Sequence, residues 1–220
     1  MKLYNTIKVL GIIPARANSK EIPNKNMHVL CGKPLIEYTI EAAKNSKRLT
    51  DFIITTDSEI ILERYGGIRR PSLLADDSTP MLPVIKHALS SYERINGEVD
   101  AVCLLQPTSP LRTHSHIDNA IYYYDTQSKS RITASLYTGN SIQIKSPHEA
   151  HDKHVSGYHF QRNGAIFIAS TNLVYTNKLW DEEVFQFEMP SYRSIDIDTC
   201  LLYTSPSPRD YAASRMPSSA

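Results

Sequence analysis

The chain has 220 residues, with 24 lysines and arginines against 23 aspartates and glutamates, for a formal net charge of +1. Its length suits one domain with a sizeable core and leaves little room for a second. The charge balance supplies no global field to recruit nucleic acid or an anionic membrane surface, so any basic segment acts locally on a small partner. Cys31, Cys103 and Cys200 form an odd, widely spaced set with no CxxC pair, which argues against a disulfide framework or a zinc site and points to the reducing cytoplasm. No apolar run approaches the roughly 18 residues that a membrane-spanning helix needs.

In chain order, Val9 to Ile13 is a compact aliphatic run that predicts a buried strand. It breaks at Pro14 into a loop running to Asn26, in which Arg16, Lys20 and Lys25 are three obligatory cations interleaved with Asn18, Ser19, Asn24 and Asn26. Such a set suits a ligand with several anionic oxygens, a polyphosphate above all, and a solvated basic loop is the plain alternative. Pro34 followed by the apolar stripe Leu35, Ile36, Ile40, Ala42 and Ala43 predicts a helix. Phe52 to Thr56 reads as a strand, after which Thr55, Thr56 and Asp57 either meet ligand or cap a helix over Glu59 to Tyr65. Pro83 to Tyr92 has helical spacing, and Ala101 to Leu105 is another strand. The turn that follows, Gln106-Pro107-Thr108-Ser109-Pro110-Leu111-Arg112, is stiffened by two prolines and offers an amide, two hydroxyls and a guanidinium. It suits either a hydroxylated ligand or the capping of a helix over Ser115 to Tyr124. Ile132 to Leu136 and Ala165 to Ala169 complete the strand-like runs.

Strands alternating with helical segments define an α/β fold, a mostly parallel sheet flanked by helices. Ligands bind such sheets at the carboxyl ends of the strands, so the loops after Ile13, Thr56, Leu105 and Ala169 are the expected site. The chain has neither a GxGxxG nor a GxxxxGK[ST] pattern, so a phosphate site here is of another type. Ser194-Ile195-Asp196-Ile197-Asp198-Thr199 puts Asp196 and Asp198 at i and i+2, on one face if the segment is extended, where they can share Mg²⁺ with substrate phosphates. For a bare DxD, an alternating strand with its polar face in water is the commoner reading. His148, His151, His154 and His159 match no standard zinc spacing and read as a solvated loop. Tyr122, Tyr123 and Tyr124 read as helix surface and core. Residues 200–220, with Pro206, Pro208 and Pro217 among serines, are expected to form a disordered tail. The tail also resembles a translated sequencing-adapter read-through; on that expectation it is non-native and the natural protein is truncated near Thr199.

Taken together, these runs resemble the acylneuraminate cytidylyltransferases, the CMP-sialic acid synthetases and their relatives acting on other nonulosonic acids, over Lys8 to Thr199. The loop from Ile13 to Asn26 is similar to that family's IPAR-x-x-SK-x-IP-x-KN signature, Gly32 to Ile36 to its GKPLI, Leu105 to Arg112 to its LQPTSPLR, Asn163 to Ile166 to its NGAI, and Ser194 to Thr199 to its SIDIDT. The resemblance implies a Rossmann-like nucleotidyltransferase domain over residues 1–199, C-terminally truncated, with a short dimerisation-type extension around 137–160 and a homodimer as the assembly. It implies a cytoplasmic enzyme whose partners are CTP and a nonulosonic acid, with no nucleic acid and no membrane. Arg16, Ser19, Lys20 and Lys25 would neutralise the triphosphate, with Arg16, Lys20 and Lys25 as the catalytic cations, and Asn26 and Arg70 would contact the nucleoside. Gln106, Thr108, Ser109 and Arg162 would meet the sugar, and Asp196 and Asp198 would hold the Mg²⁺ cofactor. Met81 stands where many relatives have a nucleoside-binding serine, and Gln161, beside Arg162, where a carboxylate-binding arginine often lies. A Kdo-type cytidylyltransferase is a related possibility, although the pair Lys25-Asn26 argues against it. A nucleotide-binding homologue without turnover, or an inactive fragment, is the alternative from another class.

Overall fold

Three aliphatic runs form the middle of the sheet around which the molecule is built. This computed structural model describes residues 7–17, 22–76, 78–126, 132–139, 159–179 and 184–197. The strands are β1 (Val9–Pro14), β2 (Val29–Leu30), β3 (Lys33–Pro34), β4 (Asp51–Thr56), β5 (Ile68–Arg69), β6 (Ala101–Leu104), β7 (Ile132–Gly139), β8 (His159–Ser170) and β9 (Val184–Glu188). The helices are α1 (Leu35–Lys44), α2 (Glu59–Tyr65), α3 (Met81–Asn96), α4 (His114–Thr126) and α5 (Thr171–Thr176). Seven strands form one sheet in the order β5-β4-β1-β6-β8-β7-β9, and β2 with β3 makes a small separate hairpin. Four neighbouring pairs of the large sheet run parallel, whereas β8 lies antiparallel to both β6 and β7.

Side-chain alternation along the central strands divides the core into two layers. Val9, Ile13, Ala101 and Cys103 point to one face, where Ile36 and Ile40 of α1 and Ile117 and Ile121 of α4 cover them. Leu10, Ile12, Val102 and Leu104 point to the other, against Ile85 and Leu89 of α3 and Leu173 and Val174 of α5. Strands buried on both faces need continuous aliphatic runs, which explains why these segments stand out in the sequence. The helices carry the stripe that each face requires, as in α1, where Leu35, Ile36, Thr39, Ile40, Ala42 and Ala43 are buried. Ser58 caps α2 by accepting a hydrogen bond from Ile61 N at 3.4 Å, and Ser170 caps α5 from Leu173 N at 3.4 Å. Tyr122 is exposed while Tyr124 packs against the core, so the tyrosine run is helix surface and core as expected.

The direction of β8 corrects one expectation. Ala165 to Ala169 is a strand, but it runs against β6, pairing Ala101 with Ser170 and Leu104 with Phe167. Its carboxyl end therefore lies away from the other strands' carboxyl ends, and the loop after Ala169 is not part of the cleft. The part of β8 that carries Gly164, packed against Gln106, faces that end of the sheet instead. Of the expected extension around 137–160, only 137–139 and 159–160 are described. The tail 200–220 lies outside the described residues, as do His148, His151 and His154. Among the described residues no helix is long and apolar enough to cross a membrane.

Candidate active site

The carboxyl ends of β1, β5 and β6 open into a cleft of about 330 Å³. Pro14 and Arg16 line it from the end of β1, Lys25 and Asn26 from the turn that follows, and Arg70 from just beyond β5. Gln106, Pro107 and Thr108 contribute the wall after β6, and Asp196 stands on the same cleft. Leu74, Met81 and Val84 form an apolar wall beside Asp76 and Thr79.

Each cation is placed by a local device. Asn24 takes up the left-handed conformation, with φ of 54°, and starts the single 3-10 turn Lys25–Met27; asparagine tolerates that conformation better than most residues. Asn26 is nearly buried, and its Nδ2 donates to the Arg16 carbonyl at 3.0 Å, closing the loop on itself. Lys25 Nζ donates to the Ile197 carbonyl at 3.3 Å. Arg70 follows a tight bend at Gly67, where φ is 126° and a Cβ would stand 2.5 Å from the Ile54 carbonyl oxygen. Only glycine fits that bend. Beyond it, Arg70 N donates to Thr56 O at 2.7 Å and the guanidinium Nη2 to Thr55 O at 2.7 Å.

Thr55 and Thr56 are fully buried and do not face ligand: Thr56 Oγ1 accepts from Ser58 N at 3.0 Å and Thr55 Oγ1 from Arg70 Nε at 3.5 Å. Asp57 accepts from Ala17 N at 2.8 Å, so it ties the cationic loop to the end of β4. Burial pushes the Arg70 guanidinium below its ordinary pKa; the nearby Asp57 carboxylate opposes that shift and the charge of Arg16 adds to it. Arg16, Asp57 and Arg70 are thus one electrostatic group at the mouth of the sheet.

The turn after β6 divides its polar groups between cleft and core. Gln106 and Thr108 line the cleft, whereas Ser109 is 1% exposed and lies off the cleft wall. Ser109 Oγ is enclosed without a hydrogen-bond partner among the described residues. Arg112 turns inward as well. Its Nη1 donates to Gln106 O at 3.1 Å and Ala165 O at 2.6 Å, and its Nη2 to Thr39 Oγ1 at 2.6 Å. Burial lowers its pKa to about 10. The sequence offers this guanidinium as a ligand group, and the fold uses it as a brace. Gly164, at φ of 69°, comes so close to Gln106 that a Cβ would stand 2.5 Å from Oε1.

Residues 194–197 are irregular rather than strand, and follow a 3-10 turn at Ser191–Arg193. Ile197 is buried against Ile22 and Leu35, its N–H donates to Thr108 O at 2.8 Å, and Asp196 beside it is exposed on the cleft. Ser19, Lys20 and Asp198 lie outside the described residues. Arg162 is located by backbone register alone, opposite Leu136. Among the described residues no three His, Cys, Asp or Glu side chains gather to hold a metal. Asp196, on a cleft shared with cations, nevertheless fits Mg²⁺, which takes one or two carboxylates together with substrate phosphates. Sequence reasoning passed over Asp76, whose Oδ1 accepts from Ser78 N at 2.8 Å and Ser78 Oγ at 2.7 Å in an Asx turn. The run Asp76-Asp77-Ser78-Thr79-Pro80 carries the turn signal that could have marked it.

The fold and the cleft define an α/β protein with Arg16, Lys25 and Arg70 gathered on one cleft at the carboxyl ends of its parallel strands. A family model described as cytidylyltransferase matches residues 10–208, and the chain belongs to that family. It is 38% identical over 210 residues to an N-acylneuraminate cytidylyltransferase of Escherichia coli, a match covering 87% of this chain and 49% of that protein. The chain thus spans about half the length of that relative. It is 30% identical over 213 residues to a CMP-N,N'-diacetyllegionaminic acid synthase of Legionella pneumophila, covering 88% of this chain and 92% of that protein. Among solved structures, a CMP:2-keto-3-deoxy-manno-octonic acid synthetase complexed with CTP superposes with a TM-score of 0.67 at 15% identity, covering 95% of this chain and all of that one. That likeness is one of fold. The resemblance carried by the five sequence motifs is borne out.

Proposed function

We propose that the chain transfers the cytidylyl group of CTP to the anomeric hydroxyl of a nonulosonic acid, releasing pyrophosphate. The observation that carries this reading is the single cleft in which Arg16, Lys25 and Arg70 meet Gln106, Thr108 and Asp196, in a member of the cytidylyltransferase family. The anomeric oxygen attacks the α-phosphorus and a new P–O bond forms. The bond from that phosphorus to the α,β-bridging oxygen breaks, pyrophosphate leaves with the electron pair, and the hydroxyl proton passes to solvent. Three cations suit the charge of a bound triphosphate and of the leaving group, because preorganised charge in a partly desolvated cleft stabilises the transition state without reorganising.

In this reading Arg16, Ser19, Lys20 and Lys25 hold the phosphates, Asn26 and Arg70 the nucleoside, and Gln106, Thr108 and Arg162 the sugar, while the buried Ser109 sits behind Thr108 and does not reach it. Mg²⁺ on Asp196 and Asp198 would supply Lewis-acid neutralisation of the phosphate oxygens when bound. A cytoplasmic homodimer completes the proposal. The test is pyrophosphate release from CTP and Mg²⁺ with N-acetylneuraminate and with legionaminic- and pseudaminic-type acids. Release with at least one of them, lost in Lys25→Ala, is expected. Silence with every acid from a folded protein that binds CTP overturns the transferase reading.

A further inference from the structure

The buried pair Asn163 and Ser194 sits outside the cleft wall and has no part in the chemistry just described, yet it fastens the segment that leads to Asp196 onto β8. Asn163, within β8, is 5% exposed and Ser194 is 8% exposed. Asn163 Nδ2 donates to Ser194 Oγ at 2.9 Å, and Ser194 Oγ in turn donates to Pro190 O at 3.0 Å. On its other side Asn163 Oδ1 accepts from Ala165 N at 3.0 Å, so the asparagine cannot rotate without losing one of its bonds. Two residues beyond Ser194 comes Asp196, and one residue further Ile197 is anchored again, by its N–H on Thr108 O and by its side chain in the Ile22 and Leu35 cluster. Asp196 is therefore carried on a short exposed span stretched between two buried fastenings.

We infer that Asn163 and Ser194 are positioning residues, whose mutual hydrogen bond sets where the Asp196 carboxylate stands in the cleft. The inference rests on the cytidylyltransferase reading, and specifically on Asp196 acting during turnover. A chain only two residues long between Ser194 and Asp196 transmits a shift at the first directly to the second, and a misplacement of about 1 Å at a reacting centre can cost about a hundredfold in rate. Asn163 is tied to Ser194 Oγ, to Ala165 N and, at 3.7 Å, to Met189 Sδ, all on β8 or on the segment that leads to Asp196, so loss of the pair is expected to act on turnover more than on the binding of CTP.

The experiment measures pyrophosphate release per CTP-binding site, with the sites counted by calorimetric titration, for the unmodified chain, Ser194→Ala, Asn163→Ala and the double variant. Counting sites separates positioning from folding, since a merely structural defect lowers the number of sites and not the rate at each. A silent unmodified chain refutes the cytidylyltransferase reading itself. With an active unmodified chain, the expected result is a loss of about ten- to a hundredfold in kcat per site in each single variant. CTP affinity should move by less than about threefold, and the double variant should be no slower than the slower single one, because both remove the same bond. Single variants within about twofold of the unmodified rate, or losses that multiply in the double variant, overturn the inference. If Asn163→Ala does not fold, Ser194→Ala alone decides by the same rate and affinity criteria, as it removes one hydroxyl and leaves the bond to Ala165 N intact.

Discussion

Replacing Arg112 by methionine keeps most of the buried aliphatic stem and removes the guanidinium. Three acceptors then lose a donor at once: the carbonyls of Gln106 and Ala165 and the hydroxyl of Thr39. A buried acceptor left unsatisfied costs about 1–3 kcal/mol. Thr39 can turn its hydroxyl toward another partner, and Gln106 O keeps a long bond from Ser109 N at 3.4 Å, so the full cost falls mainly on Ala165 O. Relief from burying a cation offsets part of the loss, which leaves a net destabilisation of about 2 kcal/mol. For a chain of this length each kcal/mol lowers Tm by about 2–4 °C, so Arg112→Met should melt about 4–8 °C below the unmodified protein. Arg112→Lys should not restore it, because a single ammonium cannot reach three acceptors arranged for a planar fork. Thermal melts followed by circular dichroism decide the matter. A Met variant within about 2 °C of the parent, or full rescue by lysine, would refute the view that the fork rather than the charge holds this turn.

Gly164→Ala forces a side chain into the left-handed region and onto Gln106 Oε1. It should cost about 1–2 kcal/mol, read from denaturant midpoints, and should weaken acceptor binding by displacing the Gln106 amide. Lys25→Ala should weaken CTP binding by about ten- to a hundredfold in a calorimetric titration, the worth of a charge-assisted bond to phosphate, with Tm little changed. His116 and His87 are both held below the ordinary histidine pKa, His116 by burial and then by Arg193, Arg112 and His114, and His87 by burial and then by Arg70. The unfolded chain therefore binds these protons first, and stability falls as pH drops below the ordinary value of 6.5 toward the folded pKa values. Thr113 N donates to His116 Nδ1 at 3.1 Å, a bond that protonation of that nitrogen removes. Urea midpoints measured at several pH values should show a shallower acid-side decline in His116→Ala than in the parent, and an unchanged slope would count against the assignment.

How much of this was legible in the sequence depends on how far apart the interacting groups lie along the chain. The strands at Val9, Phe52 and Ala101 and the helices around them could be read because burial writes itself into local periodicity. A run such as Ala165 to Ala169 shows that a strand exists but reads the same in either direction; that β8 opposes β6 follows from pairing with residues more than sixty positions away. Arg112 illustrates the same limit at a single side chain. In its own turn it sits among hydroxyls and prolines and looks like a ligand donor, while its actual acceptors, Ala165 O and Thr39 Oγ1, are 53 and 73 positions distant. Asp196 owes its place to Thr108 and to the cluster around Ile22, neither of which any local pattern connects to it. The bracing residues here, Arg112, Asn163 and Ser194, are polar and buried, and a buried polar group is stable only where its partner happens to be. Motifs spread across the chain therefore carry the geometry that periodicity cannot. Each supplies one side of a contact: Gln106 and Arg112 lie in one motif, Gly164 and Ala165 in another, and Ser194 in a third.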